Sequence, residues 1–572
     1  MQPMTQASQT LEVDVLFVGG GPANLAGALR LTQLVARHNE RVTAGELTGP
    51  RLEPQLALIE KGRDVGAHAI SGALFDPVAL EELLPDYQQR GFPFTVKVAR
   101  HGLHYLTTNR QFRVPDGLMP QGYRQDRCYV GSLQKLNLWL VPQVEAAGVF
   151  VFPETCGVSV LYEGERVCGV QTGEKGLEAG GGRKANYDAG TTIRAKVTVF
   201  GEGPHGTLSE DLIHRYKLRQ GRHPQSYALG VKEIIRVKPP GCPGLAVHTL
   251  GYPLGSSTFG GGFCYGLSES LFAVGMVCGL DWEDPQMDAH AQLQRVKKHP
   301  FIQQFIKGGE VIAYGAKTLP EGGYFALPRL FVDGALLVGD SAGFLNVPYL
   351  KGIHYAMKSG MLAAETIYEG LVRGAITPTV LSSFEERLRQ SFVMQDLYRA
   401  RNFRRAFARG LYQGLLLGGL SLWTGLGPTR PGKVPQDFRQ LRPLGQAARR
   451  RWTREPTTYD PGVLVDKLTD VFHSGTQHRE DQPSHIRILD PSKCLSECIP
   501  RFGDAPCTHF CPAKVYELVG EGGSRRIQVN FANCVHCKTC VIKDPIDVLG
   551  EDNVQNIVWR APAEGGPRYQ GL

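Results

Sequence analysis

Apolar and polar positions alternate first as a strand, Glu12 to Val18 (EVDVLFV), then break at Gly19-Gly20-Gly21-Pro22-Ala23-Asn24. From Leu25 to Val35 the pattern is helical. A second apolar run, Leu56 to Ile59, ends in Glu60 after a polar stretch from His38 to Pro54. Short strand-like runs separated by turns fill residues 100 to 330, with a glycine-rich loop from Gly173 to Gly190 among them. Leu336-Leu337-Val338 leads into Gly339-Asp340, and a helical period follows from about Ile353 to Leu371. Residues 384 to 409 read as helical and basic, and Gly410 to Thr429 carries no charge over 20 residues. A connector rich in Pro, Arg and Gln spans 432 to 490, and a cysteine-rich end follows from about residue 491. Such an order of elements predicts an α/β and α+β multidomain protein.

Composition narrows this picture. A chain of 572 residues with 42% hydrophobic and 21% charged positions is neither disordered nor a polytopic membrane protein. Its 69 glycines, against a usual share of roughly one residue in fourteen, point to tight turns and to backbone brought close to a ligand. The net charge of +8 suits an anionic membrane surface or acidic partners and does not require nucleic acid. Met1 to Leu11 has neither a basic nor an apolar leader pattern, so the reducing interior of a cell is the expected compartment. Of 13 cysteines, seven fall in the last 79 residues, which reads as a metal or cluster site rather than a disulfide framework.

Three strand-then-glycine elements suggest a dinucleotide site. The turn at Gly19, Gly21 and Pro22 places glycine where backbone meets a pyrophosphate, and the following helix offers its free N–H groups. Glu60 ends the second strand, where a carboxylate accepts hydrogen bonds from ribose hydroxyls. Glu202-Gly203 and Gly339-Asp340 close two further strands. Asn24 stands where the usual fingerprint has its third glycine. In this order the triplet resembles the FAD-binding, Rossmann-like fold of the glutathione reductase and p-hydroxybenzoate hydroxylase type. No second such fingerprint occurs, so a separate NAD(P)H domain is not expected.

At the other end, Cys534, Cys537 and Cys540 form C-x2-C-x2-C, and Cys511-Pro512 supplies the remote Cys-Pro cysteine of a ferredoxin-like [4Fe–4S] site. Zinc is the competing ligand set. Cys494, Cys498 and Cys507 are three more, one short of a second set. A second cluster would need a non-cysteine ligand such as His509, or a three-iron form. The uncharged stretch from Gly410 is flanked by Arg401, Arg404, Arg405 and Arg409 before it, and by Arg430 and Lys433 after it. Basic residues at both ends suit an apolar segment, with Leu411, Leu415, Leu422, Trp423 and Leu426, that dips into one leaflet. A buried glycine-rich core segment is the alternative.

Whole phrases then resemble the electron transfer flavoprotein–ubiquinone oxidoreductase family, bacterial type. They include Gly66-Ala67-His68, Phe259-Gly260-Gly261-Gly262-Phe263, Gly343-Phe344-Leu345-Asn346-Val347-Pro348 and Asn533 to Cys540, and the likeness runs from about residue 12 onward. The resemblance implies FAD and one [4Fe–4S] cluster, held by Cys511, Cys534, Cys537 and Cys540. It also implies electrons from electron transfer flavoprotein, and ubiquinone reduced over Gly260 and Gly261. Asn346 joins the expected flavin residues. Membrane contacts are implied around Leu80 to Phe94 and Leu411 to Pro428, on the cytoplasmic face of a bacterial inner membrane. The expected FAD-binding domain combines residues 1–110, 190–225 and 315–400. A mixed, β-rich quinone-binding domain is expected from 111–189 and 226–314, a membrane-contacting segment and connector from 401–490, and the cluster domain from 491–572. Rival readings are a flavin reductase or hydroxylase acting on an isoprenoid or aromatic substrate, and an electron-transfer subunit of a larger complex.

Overall fold

A computed structural model describes residues 9–572 except 73, 124, 431, 447–457, 461 and 549–554. The first eight residues of the N-terminal stretch and the middle of the connector therefore lie outside the described residues.

The opening strand pattern runs over Gln9–Val18 and forms the centre of an eight-stranded sheet. It pairs in parallel with Thr191–Phe200 on one side and with Leu56–Ile59 on the other, so Val15 lies between Val197 and Leu56. Strands buried on both faces need continuous apolar runs, and Val15, Leu16 and Phe17 are fully buried. The sheet continues through Ala335–Leu337 beyond Thr191–Phe200 and through Phe150–Phe152 beyond Leu56–Ile59, all in parallel. On one face two long helices, Pro22–Thr43 and Ile353–Val372, cross closely. A Cβ on Gly360 would lie 1.8 Å from the Ala23 carbonyl oxygen, so only glycine permits this approach. The parallel strands end together at Gly19, Glu60, Gly201 and Gly339, the edge at which open α/β sheets bind ligands.

A second, seven-stranded sheet runs in the order Glu310–Pro320, Tyr227–Arg236, Leu271–Gly279, Gly260–Gly266, Leu245–Gly251, Arg100–Leu106 and Gln111–Arg113. All its pairings are antiparallel except that between Leu245–Gly251 and Arg100–Leu106. Several strands depart from the expected partition, Phe150–Phe152 in the first sheet among them. Arg100–Leu106, expected with the flavin segments, belongs to this second sheet. The hairpin Gly157–Glu163 with Arg166–Thr172, expected on the quinone side, extends the first sheet from Thr191–Phe200. Alternation in sequence fixes which face of a strand is buried, but not which sheet offers it an open edge.

The second sheet and the cysteine-rich end share one apolar core, in which Val231, Met276 and Tyr314 pack with Phe510, Tyr516 and Trp559. The apolar side chains of Leu80 to Phe94 are also interior. Leu80, Leu83, Leu84, Tyr87 and Phe94 are all buried, and Phe75, Tyr87, Phe92, Phe94, Tyr129 and Trp139 form an edge-to-face aromatic cluster. Its apolar residues fill a core while its charged ones face out, which corrects its expected place at a membrane. No helix among the described residues is long and apolar enough to cross a membrane.

Candidate functional site

A cavity of about 660 Å³ runs from the carboxyl ends of the first sheet, along the second sheet, to the helix Leu411–Thr424. It is the size of a site for a substantial ligand. Its walls bring together Gly19, Gly21, Pro22, Glu60, Glu202, Gly203, Gly339 and Asp340 at one end, and Gly260 and Gly261 further along. Asn346 is not on the wall: it is fully buried, and its amide donates to the Tyr355 hydroxyl at 3.3 Å.

Both long helices begin at the flavin end without a side-chain cap, at Gly21 and Gly352. Their free N–H groups and positive dipole ends suit a pyrophosphate and an electron-rich ring edge. Gly19 has φ +99°, and a Cβ there would lie 2.6 Å from the Gly201 carbonyl oxygen. The Glu60 carboxylate accepts from the N–H groups of Gly20 and Gly62, each at 2.7 Å, which fixes it beside the turn. Glu202 reaches the wall, but its carboxylate caps the helix Thr207–Arg215 by accepting from the Ser209 N–H and hydroxyl, each at 2.7 Å. Burial pushes the Asp340 carboxyl up to about 6 against the pull of Lys317. Asn24 replaces tight packing with hydrogen bonds: its amide donates to the carbonyls of Val18 and Gly19, each at 2.9 Å, and so ties the strand end to the helix. These uncapped termini and this glycine cradle fit FAD.

The middle of the cavity holds ionisable side chains that no motif announces. Lys232 is buried on the strand Tyr227–Arg236, where its ammonium donates to the Ser71 carbonyl at 3.0 Å and desolvation pulls it down to about 7. His248 sits between two tyrosines, with Nδ1 2.7 Å from the Tyr123 hydroxyl and Nε2 2.5 Å from the Tyr265 hydroxyl. Burial lowers this imidazole to about 3, so it is neutral. Lone Lys and His residues on strands carry no spacing signal; only the sheet register places them on one wall.

Gly260 and Gly261 lie side by side on an inner strand of the second sheet. A Cβ on Gly260 would come 2.0 Å from the Val277 carbonyl oxygen, and one on Gly261 would come 2.1 Å from that of Thr249. Both glycines are thus demanded by the sheet itself as well as by any ligand lying on it. At the cavity mouth Phe403, Phe407, Leu411, Leu415 and Leu422 form the wall. The opposite face of the same helix is bare, with Leu416 71%, Leu420 59% and Trp423 55% exposed, and Leu426 just beyond it is equally open. Leu411 and Leu422, two of the expected anchor residues, are buried instead. Of the basic flank, Arg401 donates to the carbonyls of Gly425 and Pro428, and Arg404 pairs with Asp281 and Glu321.

Behind the cavity lie four buried cysteines, Cys511, Cys534, Cys537 and Cys540. Burial comes first, and mutual repulsion second, among the causes that hold the thiols of Cys511, Cys534 and Cys540 above their ordinary range. The Val515 N–H donates to the Cys511 sulfur and the His536 N–H to the Cys534 sulfur, each at 3.4 Å. A cage of sulfurs with N–H donors fits an iron–sulfur cluster. The strand Glu310–Pro320 joins cage to cavity: Lys317 and Thr318 line the cavity, and the Thr318 N–H donates to the Cys537 carbonyl at 3.3 Å.

Comparison with known proteins shows the same arrangement of parts. Family models described as "Electron transfer flavoprotein-ubiquinone oxidoreductase, 4Fe-4S" and "ETF-QO, ubiquinone-binding" match residues 462–570 and 227–319. The mitochondrial electron transfer flavoprotein-ubiquinone oxidoreductase of Arabidopsis thaliana is 38% identical over 98% of this chain and 84% of its own length. That of Homo sapiens is 37% identical over 98% of this chain and 89% of its own. The chain belongs to this family. It is accordingly an oxidoreductase with FAD and a [4Fe–4S] cluster. A geranylgeranyl bacteriochlorophyll reductase-like protein from Thermoplasma acidophilum shares the fold at a TM-score of 0.54, with 18% identity over 72% of this chain and 92% of the other.

Proposed function

We propose that this chain oxidises reduced electron transfer flavoprotein and reduces ubiquinone to ubiquinol at a membrane surface. One observation carries the reading: a single cavity joins the flavin glycines, the wall that touches the cluster cage, and an apolar helix open to the outside. FAD, bound along Gly19, Gly21, Glu60, Gly203 and Asp340, supplies two-electron chemistry, and the cluster on Cys511, Cys534, Cys537 and Cys540 supplies one-electron chemistry. The quinone ring lies against Gly260 and Gly261, where no side chain stands between ring and backbone. Each ubiquinone takes up two electrons and two protons. Lys232 and the Tyr123–His248–Tyr265 relay are the proton-carrying groups on that wall.

The protein meets the bilayer through one leaflet. Leu416, Leu420, Trp423 and Leu426 enter the acyl region, while exposed Arg409, Arg430 and Lys433 meet anionic headgroups, as on the cytoplasmic face of a bacterial inner membrane. Leu411, Leu415 and Leu422 then line a dry path by which an isoprenoid tail passes from lipid to cavity.

Anaerobic mixing tests the reading. Reduced electron transfer flavoprotein should bleach the bound flavin, and a soluble ubiquinone analogue should restore its colour. Leu415→Trp should slow the second step and spare the first. Bleaching without reoxidation by quinone in the wild type would exclude quinone as the acceptor.

A further inference from the structure

The three cysteines left outside the cage also converge. Cys494 and Cys498 lie one turn apart on the segment Cys494–Cys498, and Cys507 sits in the first turn of Pro506–Phe510. Together with Asp544 they line a small cavity walled by Ile488, Ile546 and Ile557. Asp544 is 5% exposed and accepts from the N–H groups of Ile557 at 2.7 Å and Ile546 at 3.3 Å. Backbone donors alone offset its charge; no cation among the described residues contributes to it. A carboxylate buried in this way is held by a proton or by a cation. His509, the non-cysteine ligand suggested by sequence, instead pairs with Asp504 at 2.8 Å and does not reach this cavity.

The spacing explains the convergence. Cys534-x2-Cys537-x2-Cys540-x3-Asp544-Pro545 is a complete ferredoxin run with aspartate in its fourth place, and Cys507-x3-Cys511-Pro512 is the tail of a second. In two-cluster ferredoxins the fourth residue of each run serves the other cluster. The ends cross in the same sense here. Cys511 faces Cys534, Cys537 and Cys540, while Asp544 faces Cys494, Cys498 and Cys507. A single tetrahedral zinc would require donors closer together. The groups of three donors within 4.8 Å of one another among the described residues are His478, His485 and His536, and Glu233, His290 and Asp470, with neither cysteine set included.

We propose that Cys494, Cys498, Cys507 and Asp544 hold a second [4Fe–4S] cluster, with the Asp544 carboxylate on its fourth iron. The full-length protein, with FAD bound, is reconstituted anaerobically with equal amounts of ferrous and ferric iron and with sulfide, and iron, sulfide and zinc are counted per chain. About eight irons and eight sulfides are expected. Cys498→Ser should lower both counts to about half with FAD retained, and Asp544→Cys should keep the full count. Saturation of the wild type at about four irons, or one bound zinc in place of the second set, would overturn the proposal. A stable count of about seven under excess iron, with the paramagnetic signal of an oxidised three-iron cluster, would remove Asp544 as a ligand. Should Cys498→Ser fail to fold, the wild-type count and Asp544→Cys still decide.

Discussion

Two stretches expected at the membrane, Leu80 to Phe94 with its four charged residues and Leu411 to Leu426 with none, end in opposite surroundings. The first is closed over by Phe75, Tyr129 and Trp139 and has become core. In the second, Leu411, Gly414, Gly418 and Leu422 pack inward and Leu415 borders the cavity, while Leu416, Leu417, Leu420 and Leu426 face out. Hydrophobicity alone says that a segment leaves water; the presence or absence of a partner decides whether it enters protein or lipid. Substitutions in the first stretch should therefore act on folding, and those in the second on location.

The largest expected effect is on location. Leu416→Glu together with Leu420→Glu removes apolar burial worth roughly 1.5–3 kcal/mol per side chain and places charge in the leaflet. Vesicle sedimentation should show at least a hundredfold weaker binding, with the unfolding midpoint unmoved. Retained binding would mean that the membrane face lies elsewhere. Next comes Leu80→Ala, which should cost about 2–5 kcal/mol of stability in denaturant titration and leave vesicle binding intact. Loss of binding without loss of stability would reverse the assignments of the two stretches.

A third test lies between these extremes, where the cavity floor is both wall and sheet. Gly261→Ala should destabilise by about 1–3 kcal/mol, because its Cβ meets the Thr249 carbonyl, and should impair quinone reduction together with folding. A stable variant that loses only quinone turnover would show that the sheet gives way there. The smallest effect is a pH slope. His248 is neutral in the fold, lowered to about 3 by burial, whereas the unfolded chain takes up this proton near 6.5. Its contribution is complete above pH about 6.5 and is lost as pH falls towards 3, amounting to about 2 kcal/mol by pH 5. Unfolding midpoints at pH 7 and pH 5 should differ less in His248→Gln than in the wild type; equal differences would place His248 in contact with water.

Local order was the legible part. The strand Leu56–Ile59 was readable to the residue and the helix after Gly352 differs from its expected end by one residue, whereas the first helix begins at Pro22, inside the expected turn, and runs to Thr43, past its expected end at Val35. The four cluster cysteines announce themselves because metal ligation needs fixed short spacings. Less legible was whatever depends on pairing between distant segments. Lys232 and His248 meet the cavity through strand register, and Arg100–Leu106 changes sheet because an edge was open there. Asp544 hid in plain view: a run of cysteines draws attention to sulfur, so an aspartate in the fourth place is passed over.

The four cage cysteines have one more effect, which concerns chain entropy. Cys511 and Cys534 bracket the antiparallel hairpin made by Tyr516–Val519 and Arg526–Val529. Fastening both to one rigid inorganic core closes a ring around that hairpin, as a cross-link would, and denies the unfolded chain most of the arrangements open to a free loop. For a ring of this size the chain-entropy relation gives about 3 kcal/mol. Iron loading therefore sets the stability of the C-terminal end as well as its redox chemistry, and stripping the iron should loosen that end first.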